Sequence, residues 1–578
     1  SALNTNRQEP MDNCRWTVLP SDENLVREIQ RVANLSRPSA VALASHGVTL
    51  ETIKDFLEPK LSSLVDPYLL PGTREAAVRI WRAIRDGERI LVHGDYDVDG
   101  ITSSVLMCEV LAENGANVES FLPHRIDDGY GLTPESIEKA CSEHHSLLIT
   151  VDCGITSHEA IEVARSRGID VIVTDHHEPG ETTPDATVVI DPCLPGAPDE
   201  LRELAGVGVA FKVCHAFIKF GREQNLGGFK TDLKDVLDLV ALGTVADIVP
   251  LLDENRRLVK AGLQALSRQR RPGIRALCEL VRLNDEIRSP DIAFRLAPRL
   301  NAAGRMGDAA LSLDLLQSRS MADAAPLAKR LDDENRRRQD YETLTYEEAK
   351  AQIEARESLA ADSVLVVANE GWHQGVLGIV ASRLVRAYYR PCVVLSKDSA
   401  GSFCGSGRSV PGVNLVEMLS KCSELMQRYG GHPMAVGLSI EETNIPSLQA
   451  CLNQSVSETI SPAEMCPQLD ISGEATFREL LNGYLGELDL LRPFGQGNPE
   501  PIFYTSAVFP DRILPAGTSH TRGNVVDPRG DSIDFIAFGC LPDELPPPPW
   551  DLAYRAQINT YRGRSNPQIQ ILDVRPTS

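Results

Sequence analysis

Three short segments of this sequence carry side chains of the kinds that bind divalent cations. They are HGDYDVDG (93–100), with His93, Asp95, Asp97 and Asp99; VDCG (151–154), with Asp152; and DHH (175–177), with Asp175, His176 and His177. Carboxylates crowded in this number repel one another unless cations neutralise them. Two divalent cations fit so many ligands better than one, and such sites activate water for attack at phosphorus. The residues therefore predict a two-metal phosphoesterase.

The ligand types also indicate which metal to expect. Mixed carboxylate and imidazole ligands favour Mn²⁺, whereas an all-oxygen set would favour Mg²⁺ or Ca²⁺. Structural zinc is disfavoured because no Cys-x-x-Cys pair occurs among the thirteen cysteines. We expect two divalent cations, with Mn²⁺ preferred and Mg²⁺ as the alternative.

Each of the three segments ends a predicted strand. The strands are ERILVHG (88–94), SLLITVDCG (146–154) and DVIVTDHH (170–177), and helices such as ITSSVLMCEVLAENG (101–115) and SHEAIEVARSRG (157–168) lie between them. Continuous apolar runs that alternate with helices are typical of a parallel sheet. Because ligands of such sheets gather at the carboxyl ends of the strands, we expect the three segments to converge.

The rest of the chain predicts an α/β protein of several parts. We expect an N-terminal helical segment (1–69), a parallel-sheet domain (70–309), a long connector helix (310–360), a second α/β domain (361–460) and a C-terminal β-barrel (465–578). Within the second α/β domain, NLVEMLSKCSELMQRYGG (414–431) is predicted to be helical. In the barrel, Phe503, Tyr504, Phe535 and Tyr561 fit either the core or a base-stacking surface.

Each motif taken alone also has an explanation that involves no catalytic metal site. A single Asp-x-Asp-x-Asp run resembles a calcium loop, although no Glu stands at the twelfth position that an EF-hand requires. A His-His pair after a strand often forms a polar turn. Gly206-Val-Gly208 precedes a helix without a dinucleotide-binding unit, and we interpret it as a tight turn. What favours the metal site is that three such endings follow neighbouring strands.

The composition limits the classes of protein. With 58 Lys and Arg against 81 Asp and Glu the net charge is −23, opposite to the usual charge of nucleic-acid-binding proteins, so binding should be confined to a local channel. No apolar stretch approaches the roughly 20 residues of a membrane span. Without a signal sequence and with scattered cysteines, the chain is expected to be cytoplasmic, with reduced thiols.

The motifs together resemble those of the DHH phosphoesterases. HGDYDVDG, VDCG, TDHH and GTVADIVP (243–250) are similar to the successive motifs of that family, and RLAPRLNAAGRMG (295–307), GWHQGVLGIVASR (371–383), SGRS (406–409) and GGHPMAVG (430–437) resemble the later motifs of its RecJ branch, including a DHHA1 domain. The resemblance covers most of residues 70–440. It also implies that the C-terminal barrel is an OB-fold.

The resemblance implies a role for each metal-site residue. One cation would be held by His93, Asp97 and Asp152, and the other by Asp99, Asp152, His176 and Asp247, so that Asp152 bridges the two. Asp247 is found only through this resemblance. Asp95 and Asp175 would orient ligands from nearby, and His177 would contact the scissile phosphate.

Phosphate contacts are expected from arginines, because the guanidinium group can bind two phosphate oxygens at once. The candidates are Arg125, Arg299, Asn301 and Arg305 in the first domain and Arg408, Ser409 and His432 in the second. Ordinary surface salt bridges are the alternative for each arginine.

The implied activity is that of a single-stranded-DNA-specific 5′-to-3′ exonuclease in DNA repair and recombination. Its products would be 5′-mononucleotides, and a single-strand-binding protein and a helicase would be its protein partners. Two alternatives stay open: a nanoRNase or cyclic-dinucleotide phosphodiesterase of the same superfamily, and an inactive scaffold in DNA replication. The extra C-terminal domain argues against the former, and the intact ligand set against the latter.

Overall fold

The computed structural model describes residues 14–123, 131–226, 231–283, 286–307, 309–398, 401–461, 464–561 and 564–577. The chain divides into two compact units. The parallel-sheet unit comprises Val48–Asn335 and Leu488–Glu500, and the barrel unit comprises Ser1–Gly47, Arg336–Glu487 and Pro501–Ser578.

In the described residues the strands are, in chain order, β1 (Arg15–Val18), β2 (Arg89–Gly94), β3 (Asn117–Phe121), β4 (Leu147–Val151), β5 (Asp170–Thr174), β6 (Val188–Ile190), β7 (Leu365–Ala368), β8 (Cys392–Lys397), β9 (Phe403–Arg408), β10 (Met426–His432), β11 (Ala435–Ile440), β12 (Gln468–Ile471), β13 (Gly473–Glu474), β14 (Phe503–Ala516), β15 (His520–Val526), β16 (Ser532–Phe538), β17 (Trp550–Tyr561) and β18 (Arg564–Pro576).

The α-helices are α1 (Glu23–Ala33), α2 (Arg37–Ser45), α3 (Ile53–Leu57), α4 (Thr73–Asp86), α5 (Val98–Glu113), α6 (Pro134–Ser142), α7 (His158–Ser166), α8 (Gly206–Glu223), α9 (Leu237–Ala246), α10 (Asp253–Ser267), α11 (Pro272–Val281), α12 (Ser289–Asp291), α13 (Ala297–Met306), α14 (Ala310–Gln317), α15 (Met321–Glu354), α16 (Leu377–Tyr388), α17 (Leu415–Ser420), α18 (Ile445–Ser457), α19 (Phe477–Glu479) and α20 (Leu485–Leu491).

The parallel-sheet unit is built on a five-stranded sheet in the order β3-β2-β4-β5-β6. Every neighbouring pair in it is parallel, as predicted. All residues of β4 are buried, which explains why its sequence is apolar at every position except Thr150 rather than alternating. The strand order reverses beside β2, because β3 follows it on one side and β4 on the other. Ligand sites in open sheets lie at such reversals.

A buried ion pair lies among the helices of this unit. Lys212 on α8 donates to Glu254 on α10 at 2.6 Å, and both side chains are fully buried. Glu254 also accepts the Val65 N–H at 3.2 Å. Lys212→Met is expected to lower the free energy of unfolding by about 3–5 kcal/mol, because it leaves a buried carboxylate without its main counter-charge.

Urea unfolding of the single variant and of Lys212→Met/Glu254→Gln measures this effect. The double variant should recover most of the loss, since it buries no unpaired charge. Equal stability of the two variants would contradict the interpretation.

The connector predicted for 310–360 is interrupted. The helix breaks between α14 and α15, because the Ser320 side chain accepts the Asp323 N–H and so caps the start of α15. The N-terminal segment, predicted as helical, contains α1–α3 and also strand β1, which pairs in parallel with β12.

The barrel unit contains a mixed sheet in the order β10-β11-β9-β8-β7, in which β7 and β8 are parallel. The prediction of one helix over 414–431 is wrong. The helix α17 ends at Ser420, and Met426–His432 forms strand β10 against β11. Gly431 has φ of +136°, which a right-handed helix cannot accommodate, and the strand pairing prevails over the helical periodicity of the sequence.

The expectation that all cysteines are reduced is also wrong for one pair. Cys422, just after α17, and Cys451 on α18 form a disulfide, with Cα atoms 6.2 Å apart. Packing of α17 against α18 brings these two positions together. The other eleven cysteines are free thiols.

The C-terminal strands close into a barrel, as the resemblance implied. The pairings run β14-β15-β16-β18-β17 and return from β17 to β14. Phe503 and Phe535 are fully buried and belong to its core, whereas Tyr504 is half-buried. The Tyr561 side chain lies outside the described part of the structure. Among the described helices, none is long and apolar enough to cross a membrane.

Candidate metal centre

The loop after β2 carries the first group of candidate ligands. Asp97 is the N-cap of α5, and its Oδ1 accepts the N–H groups of Asp99 at 2.9 Å and Gly100 at 3.1 Å. Asp residues are preferred at this position because the carboxylate satisfies the exposed N–H groups of the first turn. The cap thereby fixes the Asp97 carboxylate and the backbone of Asp99 at the carboxyl edge of the sheet.

Asp152 follows β4 in a strained backbone conformation, with φ of +62°. Its carboxylate lies against the start of α8, where a Cβ on Gly206 would approach Asp152 Oδ1 to 2.6 Å. Only glycine fits at position 206 without displacing the aspartate. The interpretation of Gly206-Val-Gly208 as a tight turn is wrong, because these residues form the first turn of α8.

The same helix start also holds Asp99. Gly206 N–H donates to Asp99 Oδ2 at 2.7 Å, and Val207 N–H donates to Asp99 Oδ1 at 2.8 Å. Unpaired N–H groups at a helix N-terminus are suited to a carboxylate. Sequence reasoning missed Gly206 and Val207 as site residues, because only the fold brings the start of α8 to Asp99 and Asp152.

His176 lies at the centre of the carboxylates. Its Nε2 is 3.1 Å from Asp152 Oδ1, 3.8 Å from Asp99 Oδ2 and 3.7 Å from Asp247 Oδ2. Asp247 comes from the end of α9 rather than from a strand. The structure thus brings Asp247 to the site that the three strand-end segments form.

The candidate ligand atoms form sets that lie within 4.8 Å of one another. One set consists of Asp95, Asp97 and Asp152; another of Asp99, His176 and Asp247; and a third of Asp152, His176 and His177. Asp152 belongs to the first and the third of these sets, as expected for a ligand that two cations would share. Asp95, expected in a supporting role, lies close enough to Asp97 and Asp152 to be a candidate ligand as well.

The structure does not bring His93 into any of these sets. Its ring is buried, with Nε2 3.0 Å from Ser136 Oγ and Nδ1 3.7 Å from Cys153 Sγ. The resemblance implies that His93 binds a cation together with Asp97 and Asp152, and the acidic side chain grouped with these two here is Asp95.

Asp175 and His177 form a hydrogen-bonded pair beside the ligands. Asp175 Oδ1 lies 2.7 Å from His177 Nδ1 and accepts the backbone N–H of His176 at 2.8 Å. Its Oδ2 accepts the Ile155 N–H at 2.9 Å. Each Asp175 oxygen is thus engaged by the protein, which suits a carboxylate that orients the two histidines.

Burial and mutual repulsion raise the pKa values of three of the carboxylates. Burial, followed by the charge of Asp97, raises the pKa of Asp99 to about 7. Burial and the charges of Asp99 and Asp97 raise the pKa of Asp247 to about 9, and the pKa of Asp152 is raised in the same way. The protein therefore holds these side chains close together at an electrostatic cost, as expected for a cation site.

The pKa values of His176 and His177 are shifted in opposite directions. Burial, together with the neighbouring His177, lowers the pKa of His176 to about 4, which favours the neutral form that binds metals. Burial also disfavours the charged form of His177, but the hydrogen bond and charge of Asp175 outweigh it and raise the pKa of His177 to about 9.

The donor atoms fit divalent cations. Although Asp152 Oδ1 and His176 Nε2 lie 3.1 Å apart, both are buried and neither has a hydrogen-bond partner among the described residues. In this crowded site a cation would satisfy both atoms. The available donors are carboxylate oxygens and the neutral imidazole nitrogen of His176. This combination suits Mn²⁺, and a cation bound mainly by the carboxylate oxygens could equally be Mg²⁺.

One further carboxylate at this edge of the sheet was missed. Asp191 directly follows β6 and is buried, and burial together with the charge of Asp175 raises its pKa to about 7. Its Oδ1 accepts the Cys193 N–H at 2.8 Å. It follows strand β6 in the same way as the other strand-end candidates follow β2, β4 and β5.

The candidate phosphate contacts in this unit have protein partners. Arg299 Nε donates to Asp332 at 2.9 Å and its Nη1 donates to the Arg295 carbonyl at 2.6 Å. Asn301 Oδ1 accepts the Val98 N–H at 3.0 Å. Arg305 lies on α13 with them, and Arg125 lies outside the described residues.

In the barrel unit, the pairing register of β9, β10 and β11 determines which candidate phosphate-binding residues lie on the same face of the sheet. Arg408 pairs with Ala435, which pairs with His432, so the Arg408 and His432 positions lie in one row across the sheet. Ser406, two residues before Arg408, lies on that face, with its Oγ 3.3 Å from Arg408 Nη1. Ser409, which was expected to bind phosphate, is instead buried and donates to the Val413 carbonyl at 2.7 Å.

Comparison with known proteins identifies the domains that carry these residues. Sequence profiles match residues 89–244 as the DHH family, N-terminal domain, residues 361–458 as the DHHA1 domain, and residues 471–573 as the RecJ OB domain. A single-stranded-DNA-specific exonuclease RecJ from Bacillus subtilis (strain 168) is 36% identical over 571 residues, which cover 97% of this chain and 70% of that protein.

Solved structures agree with this. The crystal structure of RecJ in complex with Mn²⁺ from Thermus thermophilus matches with a TM-score of 0.84 and 32% identity, covering 98% of this chain and 80% of that chain. The Mg²⁺ complex from the same organism matches with a TM-score of 0.78 and 30% identity, covering 98% and 79%. With three family domains in order and this identity over nearly its whole length, the chain belongs to the RecJ family.

Proposed function

We propose that this chain is a metal-dependent exonuclease that degrades single-stranded DNA from the 5′ end and releases 5′-mononucleotides. The observation that carries the proposal is the convergence of two ligand sets on Asp152 at the carboxyl edge of the parallel sheet. Family membership supplies the substrate class and polarity.

Two divalent cations would bind on either side of Asp152. Asp95 and Asp97 would hold one of them, with His93 as the additional ligand that the resemblance implies, and Asp99, His176 and Asp247 would hold the other. When bound, the cations supply an activated water for attack at phosphorus and stabilise the charge that develops on the phosphate oxygens.

The protein groups around the cations hold this arrangement ready for the substrate. The start of α8 fixes both oxygens of Asp99, and the α5 cap fixes Asp97. Asp175 orients the His177 ring, which we place against the scissile phosphate. Ligands positioned before the substrate arrives need no reorganisation during the reaction, which lowers the barrier.

Single-stranded DNA fits the domain set better than a dinucleotide does. The barrel over 471–573 matches the RecJ OB domain, and OB-folds bind single strands by base stacking and contacts to the backbone. A dinucleotide phosphodiesterase would need only the two α/β domains. A scaffold protein would gain nothing from keeping crowded buried carboxylates. A single-strand-binding protein and a helicase as partners, and a cytoplasmic location, stay predictions.

Arg408 and Ser406 are proposed to bind backbone phosphate, and their effects can be separated from that of Ser409. Arg408→Ala should raise KM for single-stranded DNA about 10-fold or more, and Ser406→Ala should raise it less, because charged hydrogen bonds are the stronger ones. Ser409→Ala should leave KM unchanged and lower only stability, since its hydroxyl bonds to Val413. Steady-state kinetics on the three variants tests this, and a KM effect of Ser409→Ala equal to that of Ser406→Ala would contradict it.

The proposed function is tested by product analysis with single strands of about 40 nucleotides, labelled at either end, with and without Mn²⁺. We expect label at the 5′ end to appear at once as mononucleotide, and label at the 3′ end to remain on progressively shorter strands. Activity confined to dinucleotides would support the phosphodiesterase alternative. Absence of cleavage with Mn²⁺ or Mg²⁺ would support the scaffold.

A further inference from the structure

The metal-binding loop between β2 and α5 is held from outside by helix α13. The Val98 N–H, the first of α5, has no partner within its own helix, because the first four N–H groups of a helix lie beyond the intrahelical ladder. Asn301 Oδ1 on α13 accepts it at 3.0 Å. The Val98 N–H belongs to the peptide that links Asp97 to Val98, so this bond fixes the backbone directly after the candidate ligand Asp97 and before Asp99.

This contact completes the N-terminus of α5. Asp97 Oδ1 already accepts the next two N–H groups, from Asp99 and Gly100. If Asp97 also had to satisfy Val98, its second oxygen would be drawn towards the backbone. With Asn301 in place, Asp97 Oδ2 is not required for capping and can face a cation.

A second contact lies one turn further along α13. A Cβ on Gly304 would approach the Tyr96 carbonyl to 2.7 Å, so the helix backbone lies directly against the loop. Residues three apart share a helix face, and Asn301 and Gly304 therefore contact the loop together. They meet it at Val98 and Tyr96, one residue on either side of Asp97.

Helix α13 is itself firmly anchored. Ser312 Oγ donates to the Leu300 carbonyl at 2.8 Å, and the Arg299–Asp332 ion pair at 2.9 Å fixes the same turn. The helix follows a π-helical segment, Ile292–Leu296, a local widening that often accompanies functional sites. The face bearing Asn301 and Gly304 is thus presented to the loop by a rigid element.

We infer that Asn301 is a positioning residue for the cation site, acting through Asp97 and Asp99, rather than a contact to DNA. The inference rests on the proposed function, since it concerns the same cations. Partners that orient metal ligands typically contribute about 10–100-fold to metal affinity.

Mn²⁺ binding to the full chain, measured by isothermal titration calorimetry without DNA, tests the inference. Asn301→Leu keeps the branching and the number of non-hydrogen atoms of the side chain but removes the acceptor, and its Kd for Mn²⁺ should rise about 10–100-fold. Asn301→Asp keeps an acceptor oxygen and should restore most of the affinity. Gly304→Ala, which retains Asn301 but pushes on Tyr96, should weaken binding as well.

Ser312→Ala is the matched control, because it removes a hydrogen bond of similar length to α13 but none to the loop. It should lower the melting temperature without changing the Kd for Mn²⁺. At saturating Mn²⁺, Asn301→Leu should lower kcat and leave KM for single-stranded DNA unchanged.

Two results would overturn the inference while the proposed function stands. One is wild-type Mn²⁺ affinity in Asn301→Leu with a raised KM, which would make Asn301 a DNA contact. The other is an equal loss of affinity in Ser312→Ala, which would reduce the effect to general packing of α13. If the wild-type chain bound no Mn²⁺, the proposed function would fail as well.

Discussion

Asp152→Asn is expected to lower kcat for single-stranded DNA by more than about 10³-fold, since removing even one preorganised electrostatic group from an active site costs about 10²–10³. Asp152 is the residue that both sides of the site share, so its loss affects both proposed cations. Asparagine is preferred to alanine because the backbone at this position has φ of +62°, which asparagine tolerates and alanine does not.

The folded state should survive this change. Without metal, Asp152→Asn removes one of several buried carboxylates that repel one another, so the metal-free variant should melt at or above the wild-type temperature. Asp170→Asn is the control, because Asp170 starts β5 at the opposite edge of the same sheet and pairs with Arg79. It should change stability and leave kcat intact. Turnover by Asp152→Asn within about tenfold of wild type would be incompatible with a bridging role.

Gly206→Ala is expected to lower kcat by about 100-fold, the usual consequence of displacing a catalytic group by about 1 Å. The new methyl group would lie 2.6 Å from Asp152 Oδ1 and 2.8 Å from its Cγ, so the carboxylate would have to move. Alanine favours helices more than glycine does, and the helix α8 itself should not suffer. The expected signature is therefore a loss of Mn²⁺ affinity and kcat without loss of the fold.

Gly208→Ala provides the control for this prediction. It adds the same methyl group two residues further along α8, where the nearest atom is Leu204 Cδ2 at 2.9 Å, the end of a flexible side chain. Mn²⁺ titrations monitored by calorimetry, with kcat measured in parallel, should show near wild-type behaviour. Equal effects of the two substitutions would show that the approach of α8 to Asp152 is unimportant.

The strand-end ligands could be predicted because parallel strands impose a rule. Asp97, Asp152 and His176 each follow a strand of the same sheet, and their carboxyl ends meet at one edge whatever the details of packing. Asp247 lies at the end of helix α9, and no rule of periodicity indicates which helix end reaches the sheet. It was found through the family motif alone.

Features that depend on tertiary contacts escaped sequence reasoning. The role of Gly206 depends on its closeness to Asp152, 54 positions earlier in the chain. Ser406 could be separated from Ser409 only once the register of β9 against β11 was known. Likewise, the segment 414–431 has helical periodicity, but pairing with β11 makes Met426–His432 a strand.

His93 and Asp95 illustrate another limit. Both lie in HGDYDVDG, and sequence spacing places both near the cations without distinguishing ligand from neighbour. In the structure Asp95 joins Asp97 and Asp152, whereas the His93 ring lies between Ser136 and Cys153. How close each side chain comes to Asp97 and Asp152 depends on its direction, which the spacing of residues does not determine.

The central claim is that two cations bind on either side of Asp152. Crystals of the full chain soaked in Mn²⁺ and measured at the manganese absorption edge test it most directly. We expect two anomalous peaks about 4 Å apart, one beside Asp95 and Asp97 and the other beside Asp99, His176 and Asp247, with Asp152 in contact with both. A single peak, or peaks that do not touch Asp152, would contradict the account.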